Sequence, residues 1–223
     1  MRPEDPTPVP SRLSPRVVLA GLAIAYSPSW LNRVVAWTGV DWDWLRGPPS
    51  VLVWNWLAVG AVFAFIYGIE RRDARSLRLV KPNGKDIQWA VFFWGIGTGV
   101  SGAVQAWLPS PPSDGLTTML ALPIPTLVLL ILTTATTEEI LFRGHAIERL
   151  RELTGHVGLA ALVSLVLFVL PHVFFFGPYW LAYQGVNVVL IYVLYLWRRN
   201  LWACMLMHVL GNAMILVPAL GLA

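Results

Sequence analysis

Cysteine is nearly absent from this chain. The single Cys204 excludes an intrachain disulfide, and its place inside an apolar run favours an inert buried thiol over a reactive one. Charge is scarce as well. Asp, Glu, Lys and Arg make up 13% of the 223 residues, against about 25% in a soluble domain. Hydrophobic residues supply 57% and mean hydropathy is +0.63, so the chain reads as a polytopic membrane protein. Hydrolase signatures are missing too: there is no GxSxG, no HExxH and no pair of aspartates, which leaves a serine hydrolase or a zincin without its motif. No internal repeat appears, which counts against a transporter built from repeats. The net charge is +4. The basic residues lie in loops between apolar segments, so they read as topology signals and not as a nucleic-acid surface.

One pattern is present and carries no function. Gly97-Thr98-Gly99-Val100-Ser101-Gly102 matches GxGxxG, but a dinucleotide site needs a strand before it and a helix start after it. Here the motif lies inside a membrane span. Gly95 and Gly99 form GxxxG, and the expectation is close helix packing.

What is there is a series of apolar segments. Residues 1–16 are polar and proline-rich and read as a disordered tail. A weak first helix runs from Val17 to about Val40, bent at Pro28; a cleaved signal peptide ending near Ala23-Ile24-Ala25 is the alternative. Val51–Ile69 spans, with Asn55 inside it expected to bond a neighbouring helix. Glu70–Asp86 is a polar loop with six basic residues. Ile87–Leu108 spans, and Pro109–Thr118 has no basic residue. Met119–Thr137 follows, its helix delayed or bent by Pro123 and Pro125. Gly144–Gly155 is expected as a solvated amphipathic helix carrying Glu148, Arg149, Arg151 and Glu152. Val157–Phe176, Tyr179–Trp197 and Leu201–Leu222 complete the set. The expected fold is all-α: one polytopic bundle of about seven helices (six to eight) over residues 17–223. Of the 12 tryptophans, Trp42, Trp44, Trp89, Trp107, Trp180, Trp197 and Trp202 sit near segment ends, as interfacial anchors do. With the N-terminus in the cytoplasm, Arg71–Lys85, Arg149/Arg151 and Arg198/Arg199 all fall inside; Arg33 and Arg46 lie on or near the wrong side.

Chemistry is carried by three constellations. Glu138 and Glu139 end the apolar run before Ile140-Leu141-Phe142-Arg143, and an acid in a membrane helix is a functional-site hypothesis by default. Glu139 and Arg143 are four apart and share a face, so Arg143 can hold Glu139 ionised, while Glu138 points elsewhere. The plain alternative is a helix end emerging into water. His172 follows Pro171, whose missing N–H frees a carbonyl; a histidine satisfied by that backbone is its plain reading. His208 and Asn212 share a face of the last span, and polar contact between helices is theirs. His145 and His156 read as solvated, and Gln105, Gln184 and Asn187 as helix–helix contacts. Together, a carboxylate base, imidazoles and an amide donor are what water activation and oxyanion stabilisation need.

In order and spacing, Glu138-Glu139-x-x-x-Arg143, Phe168-x-x-x-His172 and His208-x-x-x-Asn212 resemble the three motifs of the CPBP family, the CAAX prenyl proteases and bacteriocin-processing enzymes, also called Abi. The motifs cover a core at about residues 118–213; residues 1–110 carry none. The resemblance implies an intramembrane glutamic endopeptidase. Glu138 would be the general base on a water, His172 would position that water, His208 and Asn212 would form the oxyanion hole, and Arg143 would orient Glu139. The ligand types suit zinc, yet the resemblance implies a metal-independent reaction with no cofactor. His145 departs from the pattern, since many members have an apolar residue there. The implied partner is a membrane-anchored or lipidated protein or peptide, cleaved near the cytoplasmic leaflet, with no nucleic acid; the expected location is a bacterial inner membrane. The competing reading is a non-catalytic membrane scaffold or bacteriocin immunity protein of the same fold.

Depth poses a problem for this reading. Glu138 stands near the inner end of its expected span, whereas His172 would be about 22 Å above Val157 at about 1.5 Å per residue. The expectation that reconciles them is that Val157–Leu162 lies outside the hydrocarbon core and the span starts nearer Val163.

Overall fold

The computed structural model describes residues 13–39, 47–109 and 111–222, and every regular element among them is a helix. Helices α1 (Pro15–Tyr26) and α2 (Pro28–Trp37) meet at Ser27, the break expected at Pro28. The Ser14 hydroxyl accepts from the Val17 amide and Pro15 opens α1 where a missing N–H is harmless. The polar tail therefore gives way to helix at Pro15, while residues 1–12, Trp42, Trp44 and Arg46 lie outside the described residues.

Helix α3 (Val51–Phe65) runs on as a π turn over Ile66–Glu70. Helix α4 (Gly84–Trp107) opens with a reciprocal cap in which Asn83 and Asp86 each accept from the other's amide. A short α5 (Asp114–Leu120) precedes α6 (Ile124–Glu138), which starts just before Pro125, as the prolines require. Without a break, α6 becomes a π segment (Glu139–Ile147) and then α7 (Glu148–Thr154). Helices α8 (Val157–Phe176), α9 (Tyr179–Arg198), α10 (Leu201–Ala213) and the short α11 (Leu216–Ala219) finish the chain.

Among the described residues, six helical stretches are long and apolar enough to cross a membrane: Pro48–Glu70, Gly84–Trp107, Ile124–Thr154, Val157–Phe176, Tyr179–Arg198 and Leu201–Ala219. The protein is an integral membrane protein with a helical bundle. The segment expected as a helix from Val17 to about Val40, bent at Pro28, is present as α1 and α2. Helix α1 by itself has 12 residues, about 18 Å of length, shorter than a hydrocarbon layer of about 30 Å. It packs against α3, the π segment and α7.

The basic loops gather at one end. Arg72 pairs with Glu152, Arg78 and Arg199 both pair with Glu148, and Arg198 pairs with Asp86. The Leu201 amide donates to Arg78 O and the Asn200 side chain to Val80 O, so the Glu70–Asp86 link is fastened to the α9–α10 turn. This overturns two expectations. Glu70 is buried and bonded to Arg149, so it belongs to the packed helix end and not to a polar loop. Glu148 and Arg149 are buried too, so α7 is packed over its first turn and exposed only beyond it, at Arg151 and Leu153. At the other end, α5 lies so close to α8 that a Cβ on Gly115 would fall 2.2 Å from Phe175 O.

Asn55 donates to Thr137 Oγ1 at 3.0 Å, the interhelical bond expected of it. The glycine motif packs, though through a different residue. Gly97 meets Asn187 of α9, whereas Gly95 and Gly99 face open space. Asn187 also donates to Ser101 across the same interface. Gln184 accepts from Asn187 on its own helix, and Gln105 is exposed, so neither is the helix–helix contact expected. Cys204 is a buried free thiol, as expected.

Candidate active site

Three helices bring the expected residues together. Glu138, Glu139 and Arg143 come from the junction of α6 and the π segment, Phe168 and His172 from α8, and His208 and Asn212 from α10. Helices α6 and α10 run antiparallel, since Glu139 meets His208 while Thr134, one turn earlier, meets Asn212.

Glu139 is completely buried and is the hub. Its Oε1 accepts from His208 Nδ1 at 2.8 Å and lies 3.1 Å from Arg143 Nη1. Arg143 is buried as well. Its guanidinium is sandwiched between the rings of Phe168 and Tyr192, at 4.1 and 4.3 Å from their centroids. A cation between two ring faces is held electrostatically as well as by its carboxylate. Ser164 fixes the second ring, donating to Phe142 O and lying 3.2 Å from the Tyr192 hydroxyl.

Glu138 stands differently. Its side chain and that of His208 are each 13% exposed, while Glu139 and Arg143 are at 0% and 1%. Of the two acids, Glu138 is thus the one a solvent or substrate molecule can reach. Its Oε2 is buried, lies 3.9 Å from His208 Nε2, too far for a direct hydrogen bond, and has no hydrogen-bond partner among the described residues. Two acids on adjacent positions thus have unlike surroundings, which is how such pairs come to unlike roles.

The ring nitrogens can be assigned from their partners. A carbonyl only accepts, so His172 Nδ1 carries the proton it donates to Phe168 O at 2.8 Å, and a neutral ring then leaves Nε2 as an acceptor. The backbone bond offered as the plain reading of His172 is therefore real and serves to fix the tautomer. The ring also stacks on Trp180, 4.8 Å away. Trp180 is thus part of the site wall and not simply the interfacial anchor expected. Phe168 links the parts: its ring is 4.6 Å from His172, 6.3 Å from His208 and under the Arg143 guanidinium.

The depth conflict resolves once the helices are laid side by side. Helix α8 is unbroken from Val157, with its first turns packed against α7. Glu138 lies mid-way along a continuous stretch of 31 residues, Ile124–Thr154, and not at its end. From the α7–α8 turn, Glu138 is about 24 Å and His172 about 22 Å at the ideal helical rise. Leu201 contacts Gly144, so α10 starts six residues below Glu138, and His208 is seven residues into α10. All three motifs therefore meet at one level.

His145, read as solvated, is fully buried. It packs on Gly21 of α1 and lies 3.6 Å from Glu70 Oε1, within a cluster that includes Arg149. His156 is exposed, as expected. Sequence reasoning also missed the threonines. In the run Thr133-Thr134-Ala135-Thr136-Thr137, Thr133 accepts from Trp56, Thr137 from Asn55 and Thr134 from Asn212. Four hydroxyls in one apolar helix just before two acids were the available signal.

Among the described residues, no group of three His, Cys, Asp or Glu side chains is arranged to hold a metal ion. Glu139 and His208 are the right types for zinc, but they face each other at hydrogen-bond distance, where a metal would have to lie between them. This pair as arranged leaves no room for a metal between its two atoms.

Residues 120–214 match the family model described as type II CAAX prenyl endopeptidase Rce1-like, and this interval holds all three motifs. That is a protease family. No curated protein and no solved structure matches the chain.

Proposed function

With residues 120–214 matching the CAAX prenyl endopeptidase family model, we propose that the protein is an intramembrane glutamic endopeptidase that hydrolyses a membrane-anchored or lipidated protein or peptide. One observation carries the reading: the chain Glu138–His208–Glu139–Arg143, in which only Glu138 and His208 open to the surface. Two carboxylates and one guanidinium bear one negative charge. A single added proton, held by His208, makes the group neutral, and charge left unbalanced in such surroundings is costly. In that state Glu138 is a free base, while His208 donates through Nδ1 to Glu139 and has a second proton on Nε2 for substrate.

The reaction follows from these states. A water donates one hydrogen bond to Glu138 and another to the bare His172 Nε2. Glu138 removes its proton as the oxygen adds to the scissile carbonyl. The oxyanion accepts from His208 Nε2 and the Asn212 amide. The carbon–nitrogen bond then breaks as Glu138 returns the proton to the leaving amine, so no group is consumed. Arg143 keeps Glu139 ionised, and Glu139 keeps the His208 ring in register.

We place the basic end in the cytoplasm, and the membrane as a bacterial inner membrane, because positive loops are retained inside. Glu138 lies only about 10 Å beyond the level where α10 begins, so substrate reaches it laterally from the inner leaflet. We treat residues 17–223 as one bundle, since a single hydrophobic cluster runs from Val18 to Met207, with the catalytic part at 118–213.

The test is cleavage of a quenched-fluorescent, S-farnesylated peptide with a CAAX terminus by protein in lipid bilayers. Wild type is expected to cleave and Glu138→Gln to lose at least about a hundredfold in rate, with no effect of a chelator on wild type. Loss of wild-type cleavage with the chelator would revive a metal held by Glu138, His172 and His208. Full cleavage by a folded Glu138→Gln protein would remove the base assignment, and no cleavage by folded wild type would favour the scaffold reading.

A further inference from the structure

Asn212 has a partner that no motif includes. Its Nδ2 lies 3.1 Å from Thr134 Oγ1, and that oxygen lies 2.8 Å from Leu130 O on its own helix. Two oxygens at 2.8 Å require a proton between them. Leu130 O is a carbonyl and has none, so the Thr134 hydroxyl supplies it. The hydroxyl's one proton is then committed, and toward Asn212 its oxygen can only accept. This settles which end of the Asn212 amide faces α6. The nitrogen must point at Thr134, because the carbonyl end would set two acceptors against each other.

We propose that Thr134 is a positioning residue which fixes the Asn212 amide with its nitrogen, and so its second N–H, presented to the site. The inference rests on the reading of Asn212 as an oxyanion donor. An amide free to turn over would show its oxygen to the developing anion half the time, and that orientation repels charge where the other stabilises it. Thr134 is one helical turn before Glu138, and Asn212 one turn after His208. The bond thus ties the donor to the same pair of helices that carries the base. Tying it there also holds the distance between base and donor, on which orientation effects depend. The side chain that does this must have a hydroxyl whose proton is used up elsewhere. Threonine or serine on a helix meets that condition, because either can return its proton to the carbonyl four residues back.

The experiment uses the same farnesylated peptide in bilayers, with kcat and KM measured for wild type, Thr134→Val, Thr134→Ser, Asn212→Ala and the double variant Thr134→Val/Asn212→Ala. Thr134→Val keeps shape and removes the acceptor; it is expected to lower kcat about tenfold or more with KM unchanged. Thr134→Ser should restore kcat to within about twofold, since it keeps the hydroxyl. The double variant should be no slower than Asn212→Ala, because the threonine acts only through the amide. Thr134→Val at the wild-type kcat, beside a slow Asn212→Ala, would overturn the role of Thr134 alone. A double variant slower than Asn212→Ala by the full Thr134→Val factor would do the same. Asn212→Ala at the wild-type rate would instead overturn the oxyanion reading beneath it. Equal thermal unfolding of Thr134→Val and wild type in detergent separates a loss of rate from a loss of fold.

Discussion

At the scale of the residue, the site is organised by what is buried and paired, not by what is exposed. Arg143 has no exposed surface, one carboxylate partner and an aromatic ring on either face. Removing one member of such a pair leaves an uncompensated charge, which costs on the order of 3–5 kcal/mol. Arg143→Met is therefore expected to destabilise the protein by that amount, read as a shift in unfolding by denaturing detergent. Glu139→Leu/Arg143→Met removes both charges and should recover most of the loss, yet cleave nothing, because His208 has lost the acceptor for Nδ1. A double variant as unstable as the single one would show that Arg143 acts through its stacking and not through its charge. The Glu139–Arg143 pairing was legible in the sequence because four-residue spacing fixes it. Tyr192 and Ser164 were not, since a ring under a guanidinium leaves no trace in the spacing of either residue. His145 was misread for a related reason. It sits among charged residues in sequence, and only the fold shows that Glu70 and Arg149 turn inward to meet it.

At the scale of the element, close approach is set by single glycines. A Cβ on Gly97 would fall 1.8 Å from Asn187 Oδ1, while nothing lies within 4 Å of one on Gly95 or Gly99. Gly97→Ala must displace the Asn187 side chain, and with it the bond to Ser101. It is expected to cost about 1–3 kcal/mol, the range for overpacking a filled contact. Gly95→Ala and Gly99→Ala should be neutral, or stabilising by up to about 1 kcal/mol, because alanine is the better helix former. Thermal unfolding of the three variants in one detergent decides; equal shifts would mean that the motif acts through backbone freedom and not through packing. The sequence showed that the stretch packs but assigned the contact to the GxxxG pair, since which face of α4 meets α9 is a tertiary fact. The π segment at Glu139–Ile147 was hidden in the same way. Its residues carry an ordinary helical pattern, and widened turns at a functional position are chosen by packing. Reading Gly144–Gly155 as a separate solvated helix followed from its charges. The buried ion pairs of Glu148 and Arg149 neutralise those charges and let α6 continue through the π segment into α7.

At the scale of the whole molecule, the six spans and the ion-paired end form one argument about orientation. Basic residues from the Glu70–Asp86 link, α7 and the α9–α10 turn come together at one end, bridged by Glu70, Asp86, Glu148 and Glu152. The sequence reached the same grouping by counting loops, and it does not depend on the first segment, because a segment before α3 does not change the parity of the six that follow. What the sequence could not supply was depth, because a helix that runs past the level of its neighbours looks, residue by residue, like one that ends there. The grouping predicts which end faces the cytoplasm. His156 lies at the basic end and Asp114 at the other, and both are exposed. With cysteine placed at either position, and Cys204 buried and inert as background, a membrane-impermeant maleimide added to intact bacterial cells should label Asp114→Cys directly. It should label His156→Cys only once the membrane is permeabilised. Labelling in the reverse order would put the basic end outside. The route from the inner leaflet to Glu138 would then be lost, and any substrate would have to come from the outer leaflet or the opposite aqueous face.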